Sequence, residues 1–230
     1  MVTDWRYRLE TTNLADPTSP HYPSDAERRA DLAVHILGLG VALVAGPILV
    51  ATAALAGGLG RAVAVCLYVL CLLMTLGISA LYNLTKDTRR QQHLRRFDHA
   101  AIFLMIAGSY TPFTTQRFEG AWAIGMTMAV WAIATCAAAG KLFLPGLSKR
   151  IWILAYVLLG WMVIAAIEPL LASVQPLVVG LLVLGGLIYT LGALIYASPQ
   201  VRFRRAIWHA LVVAAASAHY AAILLGVAMG

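Results

Sequence analysis

Seven runs of mainly apolar residues, separated by short polar loops, occupy most of this 230-residue chain. Each run has roughly the 20 residues that an α-helix needs to cross the hydrocarbon core of a bilayer. The runs cover approximately residues 32–56, 61–83, 99–116, 120–143, 151–172, 175–197 and 206–229. Because 61% of the residues are apolar and only 12% are charged, the composition differs strongly from that of soluble domains. The sequence therefore predicts an all-α integral membrane protein, a bundle of seven transmembrane helices.

The lysines and arginines are distributed unevenly between the two predicted faces of the bundle. The N-terminal segment and the second, fourth and sixth loops share one face and hold 15 of the 17 basic residues, whereas Arg61 and Arg117 lie on the other. Cytoplasmic loops of membrane proteins carry such an excess of positive charge. We therefore predict a cytoplasmic N-terminus and an external C-terminus. The net charge of +7 follows from this topology, and we expect no nucleic-acid partner.

The chain divides into a short leader and one membrane domain. Residues 1–23 are polar and contain three prolines, so we expect little fixed structure there. Residues 24–230 form the predicted membrane domain, and Ser24 followed by Glu27 is a capping-box pattern that predicts the start of its first helix. The three cysteines lie within apolar runs without the spacing of a metal or disulfide motif, and we interpret them as packed side chains.

Polar side chains from four predicted spans fall at about the same depth, near the cytoplasmic face. They are His35 in the first span, Ser79 and Asn83 at the end of the second, Asp98 at the start of the third, and Arg205 and His209 at the start of the seventh. An ionisable group in a transmembrane segment is costly and needs a partner or a function. The alternatives are that Asp98 caps its helix, that Arg205 snorkels to the interface, and that the histidines are satisfied interior residues. The common depth favours one shared interior site.

Four segments carry a recognisable pattern: SALYN in the second run, RRFDHAAIFLMIAGSYTPF at the third, Gly160–Trp161 in the fifth, and RAIWH followed by AHY in the seventh. On these segments, the chain from about residue 24 onwards resembles the hemolysin III branch of the progestin and adipoQ receptor group. The resemblance implies a seven-helix fold with the N-terminus inside, as the apolar runs and basic loops also predict. It further implies a bacterial plasma membrane as the location.

The resemblance also implies a zinc site at the cytoplasmic end of the bundle. Its pattern is Ser-x3-His on the second helix, Asp on the third and His-x3-His on the seventh, where three histidines hold zinc and the aspartate orients or activates water. Ser79, Asp98 and His209 match this pattern. Asn83 and Arg205 stand where the pattern has two of its histidines. One histidine beside an amide and a guanidinium is a poor zinc site.

We therefore expect a degenerate zinc site without a bound cofactor, in which Arg205 supplies the positive charge and pairs with Asp98. A rearranged metal site that uses His35, His99 or His209 with Asp98 is the alternative. The favoured function is a regulatory or lipid-responsive membrane protein whose partner is a membrane lipid or other amphiphile. The alternatives are a zinc-dependent lipid amide hydrolase with Asp98 and Ser79 as catalytic residues, and a cytolytic pore. The sequence leaves the oligomeric state open.

Overall fold

A computed structural model of the protein describes residues 22–144, 147–198 and 200–230, without the side chain of Thr88. These residues form helices and short connections, with no strand among them. The predicted leader, residues 1–23, lies outside the described residues except for Tyr22 and Pro23. The all-helical class predicted from the sequence is confirmed.

The first helix, α1 (Asp25–Leu84), is broken at Gly58 into two arms, residues 25–57 and 59–84. Ser24 caps its start, because the Ser24 Oγ accepts a hydrogen bond of 3.2 Å from the Glu27 backbone N–H. Gly58 has φ 73° and ψ −165°, a conformation that glycine adopts without the steric cost of a side chain. The arms run antiparallel, since Gly46 packs against Val69.

The remaining helices follow in chain order. They are α2 (Thr88–Gln116), α3 (Gly120–Phe143), α4 (Lys149–Gly160), α5 (Ile167–Ser173), α6 (Pro176–Ala197) and α7 (Arg204–Ile223). A 3₁₀ turn (Met162–Ala166) joins α4 to α5, and a π turn (Leu224–Ala228) follows α7. Among the described residues, five helical segments are long and apolar enough to cross a membrane: Asp25–Leu84, Gly120–Phe143, Lys149–Ser173, Pro176–Ala197 and Arg204–Ala228.

Helix α2 begins earlier than the apolar pattern predicts. The sequence predicts a basic loop before residue 99, but the chain is helical from Thr88 onwards. The Asp87 side chain caps this start by accepting hydrogen bonds of 2.9 and 3.1 Å from the backbone N–H groups of Arg89 and Arg90. Such a cap satisfies donors that a helix start leaves unpaired, so a charged segment here is helical although it is not apolar.

Contacts between the helices show that consecutive segments alternate in direction. Thr75 of α1 donates to the Ala101 carbonyl of α2 at 3.2 Å, and Trp131 of α3 donates to the Thr111 hydroxyl of α2 at 3.0 Å. In contrast, α7 runs parallel to the first arm of α1, because Gly38 packs against Val213 and Tyr220 donates to the Ala45 carbonyl at 3.1 Å. Glycines at these contacts allow the close approach on which helix association in lipid depends.

The alternation gives the bundle two distinct ends. We call one of them the polar end. It holds the starts of α1, α2, α4 and α7, together with the ends of the second arm, α3 and α6. The opposite end holds the Gly58 break, the α2–α3 turn and the π turn after α7. The residues that the sequence predicts to converge all lie at the polar end.

Candidate functional site

A cavity at the polar end collects every residue predicted for the site. The site residues come from four helical segments. Residues four positions apart on one helix share a face, as Ser79 with Asn83 and Arg205 with His209 do. The residues lining this cavity include His35 of α1, Ser79 and Asn83 of its second arm, Asp98 and His99 of α2, and Arg205 and His209 of α7. The predicted convergence is thus observed in space. The catalytic and metal-binding roles of these residues stay predictions.

Asp31 lies at the centre of the cluster, although the sequence analysis did not single it out. Its side chain is fully buried, and its Oδ1 lies 2.6 Å from His209 Nδ1. The Tyr22 hydroxyl donates to Asp31 Oδ2 at 2.5 Å. The signal that points to Asp31 is its spacing four residues before His35, which places the two on one helix face.

His35 and His209 face each other across the Ser79 hydroxyl. Their ring centroids are 4.3 Å apart in an edge-on arrangement. Ser79 Oγ lies 3.3 Å from His35 Nε2 and 3.4 Å from His209 Nε2. His35 Nδ1 lies 2.8 Å from the Asp31 carbonyl oxygen, an acceptor only, so Nδ1 carries the proton. In the same way, the Asp31 carboxylate can only accept a hydrogen bond, so His209 Nδ1 also carries a proton.

Asn83 holds Ser79 and Tyr22 in place. Its Nδ2 donates to the Ser79 carbonyl at 2.9 Å, and its Oδ1 lies 3.2 Å from the Tyr22 hydroxyl. Burial and the hydrogen bond to Asp31 raise the pKa of Tyr22, so the hydroxyl remains a donor at neutral pH. The Arg205 guanidinium lies 5.5 Å from the centre of the Tyr22 ring, within the range of a cation–π contact.

The ion pair predicted between Asp98 and Arg205 is not among those formed by the described residues. Within 4.0 Å, their carboxylate pairs involve Asp31 with the two histidines and Asp87 with Arg90. Asp98 is buried and lines the cavity with Arg205. The physical reason is that the guanidinium lies over the Tyr22 ring, whereas Asp98 lies beside the Ser79 hydroxyl.

The positions of the family zinc pattern do not fit a three-histidine site. Asn83 donates its amide to a backbone carbonyl, and Arg205 brings a positive charge, so only His209 of this set offers a neutral nitrogen. A different group fits better: ligand atoms of Asp31, His35 and His209 lie within 4.8 Å of one another. Two imidazoles with a carboxylate are a donor set that zinc accepts. The donors are therefore present, but on α1 and α7.

The two other membrane histidines lie apart from this group. The His99 backbone carbonyl accepts a 3.0 Å hydrogen bond from the Tyr156 hydroxyl, and its side chain lines the cavity. His219, deeper on α7, lies 3.0 Å from the Ala215 carbonyl of its own helix and packs against Tyr189. His219 is therefore separate from the cluster.

The fold and the site define an all-helical, multi-pass membrane protein with an ionisable cluster at one end of its bundle. A family described as haemolysin-III related matches residues 29–220. The chain belongs to this family, as the resemblance predicts. It is 30% identical to the hemolysin-3 homolog of Bacillus subtilis (strain 168) over 156 residues, 66% of this chain and 71% of that protein. It is 27% identical to hemolysin-3 of Bacillus cereus over 198 residues, 86% of this chain and 90% of that protein.

Proposed function

We propose that this protein is a lipid-responsive, regulatory member of the haemolysin-III related family in the plasma membrane of a bacterium. In this proposal, seven helices cross the bilayer, with the polar end at the cytoplasmic face. The cavity at the polar end takes the head of a membrane lipid or other amphiphile. The family zinc site of three histidines is lost.

Support for the seven crossings comes from the alternation of direction. The break at Gly58 divides α1 into two antiparallel arms, and α2 lies between the second arm and α3. Each arm of α1, residues 25–57 and residues 59–84, is long enough to cross a bilayer. The excess of Lys and Arg in the polar-end loops supports a cytoplasmic location for that end.

One observation carries the proposal of an amphiphile: the cavity that holds the ionisable cluster shares part of its wall with a second cavity. This second cavity, lined by Met105, Trp161 and Tyr189 among others, extends towards the bundle centre. The two cavities share wall residues: Thr75, Ile102, Tyr156, Ala193, Trp208 and Val212. The polar head of an amphiphile fits beside the ionisable cluster, and its apolar tail fits the second cavity. A site at this depth is reached directly from the lipid.

A photoactivatable fatty-acyl probe tests this proposal in purified protein. We expect crosslinks on the shared wall, at Ile102, Tyr156 or Trp208. Ala193→Trp would fill the junction of the two cavities and reduce crosslinking several-fold. The matched control is Leu194→Trp, because Leu194 is the next residue on α6 and is 60% exposed. Crosslinks that lie only on exposed outer residues, or equal labelling of both variants, would contradict the proposal.

A second candidate function is metal-dependent hydrolysis of a lipid amide. The arrangement that favours it is the position of Ser79 between two histidine nitrogens, with Asp98 in the same cavity. Bound zinc would supply Lewis acidity towards a carbonyl group. Asp98 is then the proton acceptor and Ser79 a hydroxyl that orients the substrate. Hydrolysis of an N-acyl lipid by the purified protein, lost in Asp98→Asn, would establish this function.

The cytolytic alternative stays a prediction. Its support is the name hemolysin-3 of the Bacillus cereus relative; a selective pore would need a ring of charges or carbonyls around its path. Release of a trapped dye from liposomes that contain the purified protein would test it.

A further inference from the structure

We propose that a basic rim at the polar end binds the phosphate of an anionic phospholipid from the adjoining membrane leaflet. The basic rim consists of Arg95 and Arg96 of α2, Lys141 near the end of α3 and Lys149 at the start of α4. Asp31 and the two histidines of the cluster are not part of it. The inference does not depend on the amphiphile proposed for the cavity.

The first argument is that the basic side chains converge from three helices. Arg96 Nη1 lies 3.5 Å from the Leu142 carbonyl oxygen, which places this turn of α2 beside the end of α3. Lys141 Nζ lies 4.7 Å from the centre of the Trp152 ring, so the end of α3 is also beside α4. Arg95 is close enough to both lysines of the rim to repel them electrostatically.

The helical start of α2 makes this convergence possible. The sequence predicts a loop before residue 99, whereas the chain is helical from Thr88 onwards. A helix fixes the direction in which each side chain leaves the backbone. Arg95 and Arg96 are therefore held at a constant position beside α3, which a loop would not do.

The second argument is that these cations lack carboxylate partners. Among the described residues, ion pairs within 4.0 Å join Asp31 to the two histidines and Asp87 to Arg90, and none includes the basic rim. Arg95 and Lys141 also donate no hydrogen bond to the described part of the chain. Lys141 is half-buried, and salt screens such a charge less than an exposed one. A phosphate between the helices would accept these donors and offset the repulsion.

The third argument is the apolar surface beside the rim, which favours a lipid over a soluble anion. Phe97 is 50% exposed, Phe143 76% and Leu144 60%, and each lies within three residues of a rim arginine or lysine in the chain. The Trp152 and Tyr196 rings contact the two lysines, and such rings are typical of the membrane–water interface. Basic pockets between transmembrane helices bind anionic head groups, and acyl chains would cover the apolar side chains.

Native mass spectrometry of the full-length protein in detergent tests the inference. The probes are phosphatidylglycerol and phosphatidylcholine with identical acyl chains, so that only the head group differs. We expect one phosphatidylglycerol to be retained in preference to phosphatidylcholine. Because each basic side chain near an anionic lipid strengthens binding about fivefold, Arg95→Gln combined with Lys141→Gln should weaken phosphatidylglycerol binding about 25-fold and leave phosphatidylcholine binding unchanged.

Lys86→Gln combined with Arg89→Gln is the matched control, because both side chains are exposed at the polar end and the same two charges are lost. This variant should bind phosphatidylglycerol like the unaltered protein. Arg95→Lys combined with Lys141→Arg keeps both charges and should keep the binding, which decides the matter if the neutral variant does not fold. Equal losses in the rim variant and the control would mean that overall surface charge suffices, and would overturn the inference.

Two further measurements separate a lipid from free phosphate, and the rim from the cavity. Glycerol phosphate, which carries the phosphate without acyl chains, should not displace the lipid at equal concentration, and displacement would refute a lipid ligand. Ala193→Trp should leave phosphatidylglycerol binding intact, whereas a loss would place the phospholipid in the cavity and overturn the rim site. Intact phosphatidylglycerol binding without fatty-acyl crosslinking in the cavity refutes the amphiphile of the proposed function alone.

Discussion

The two ends of the bundle satisfy their buried polar groups in different ways. At the polar end, side chains contact other side chains across helices: Asp31 with His209, and Tyr22 with Asn83. At the opposite end, arginines donate to backbone carbonyls, Arg61 to Gly230 at 2.7 Å and Arg117 to Gly226 at 2.5 Å. Both ends are hydrogen-bonded, but the bonded side chains of the polar end line a cavity, whereas neither arginine lines the cavity found near the α2–α3 turn.

The difference distinguishes a site from a structural cap. A carbonyl left unpaired near the π turn needs a donor, and an arginine supplies one wherever its long side chain reaches. The polar end instead fixes the ring orientation of two histidines with a buried carboxylate, at the cost of desolvating that charge. A membrane protein retains such a costly arrangement for binding or chemistry more readily than for stability.

The largest difference that we expect between the two ends is the side of the membrane on which each end lies. A cysteine in place of Glu119, at the opposite end, should react in intact cells with a membrane-impermeant maleimide. A cysteine in place of Lys86, in the polar-end loop, should react only after the cells are opened. The contrast is all-or-none, because a charged reagent does not cross the bilayer. Reversed labelling would place the polar end outside and contradict the proposed topology.

Replacement of Asp31 should give the largest loss of stability. Asp31→Ala removes the buried acceptor of both His209 and Tyr22, and each buried donor left without a partner costs about 1–3 kcal/mol. The free energy of unfolding is measured by reversible denaturation of metal-free protein in mixed micelles. Asp87→Ala is the control, since its ion pair with Arg90 is exposed. A loss no greater than that of the control would show that the Asp31 network is not stabilising.

The sequence predicts the helices and the convergence better than the centre of the site. Apolar runs identify the spans because the bilayer sets their length, and the polar residues that interrupt those runs line one cavity as predicted. Asp31 was missed because it lies in the charged first turns of α1, where an acid is ordinary. Its importance comes from His209, 178 residues away, and only the packing of α7 against α1 brings them together. Arg205 likewise contacts the ring of Tyr22, a residue of the leader.

The Tyr22 hydroxyl should contribute less than Asp31 but still measurably. Tyr22→Phe deletes the hydroxyl that donates to Asp31 and lies 3.2 Å from Asn83 Oδ1, and a hydrogen bond to a charged group contributes about 1.5–3 kcal/mol. The same denaturation measurement applies. Thr52→Val is the control, because the Thr52 hydroxyl donates to the Ile48 carbonyl of its own helix. Equal effects of the two variants would mean that Tyr22 contributes packing through its ring alone.

The arginines of the opposite end should give the smallest effect, and they differ from each other. Arg117 donates to the Gly226 carbonyl in a partly buried contact, whereas the bond from Arg61 to Gly230 is exposed. Burial strengthens a charged hydrogen bond, and exposure to water weakens it. We therefore expect Arg117→Ala to cost about 1 kcal/mol and Arg61→Ala clearly less.

Neither arginine variant should alter fatty-acyl crosslinking in the cavity, because both lie at the end away from the cluster. The measurement is the denaturation curve of each variant, with crosslinking determined on the same samples. Reduced crosslinking in Arg117→Ala would show that the π turn is coupled along α7 to the cavity. The two ends would then be coupled, and the distinction between a site and a structural cap would fail.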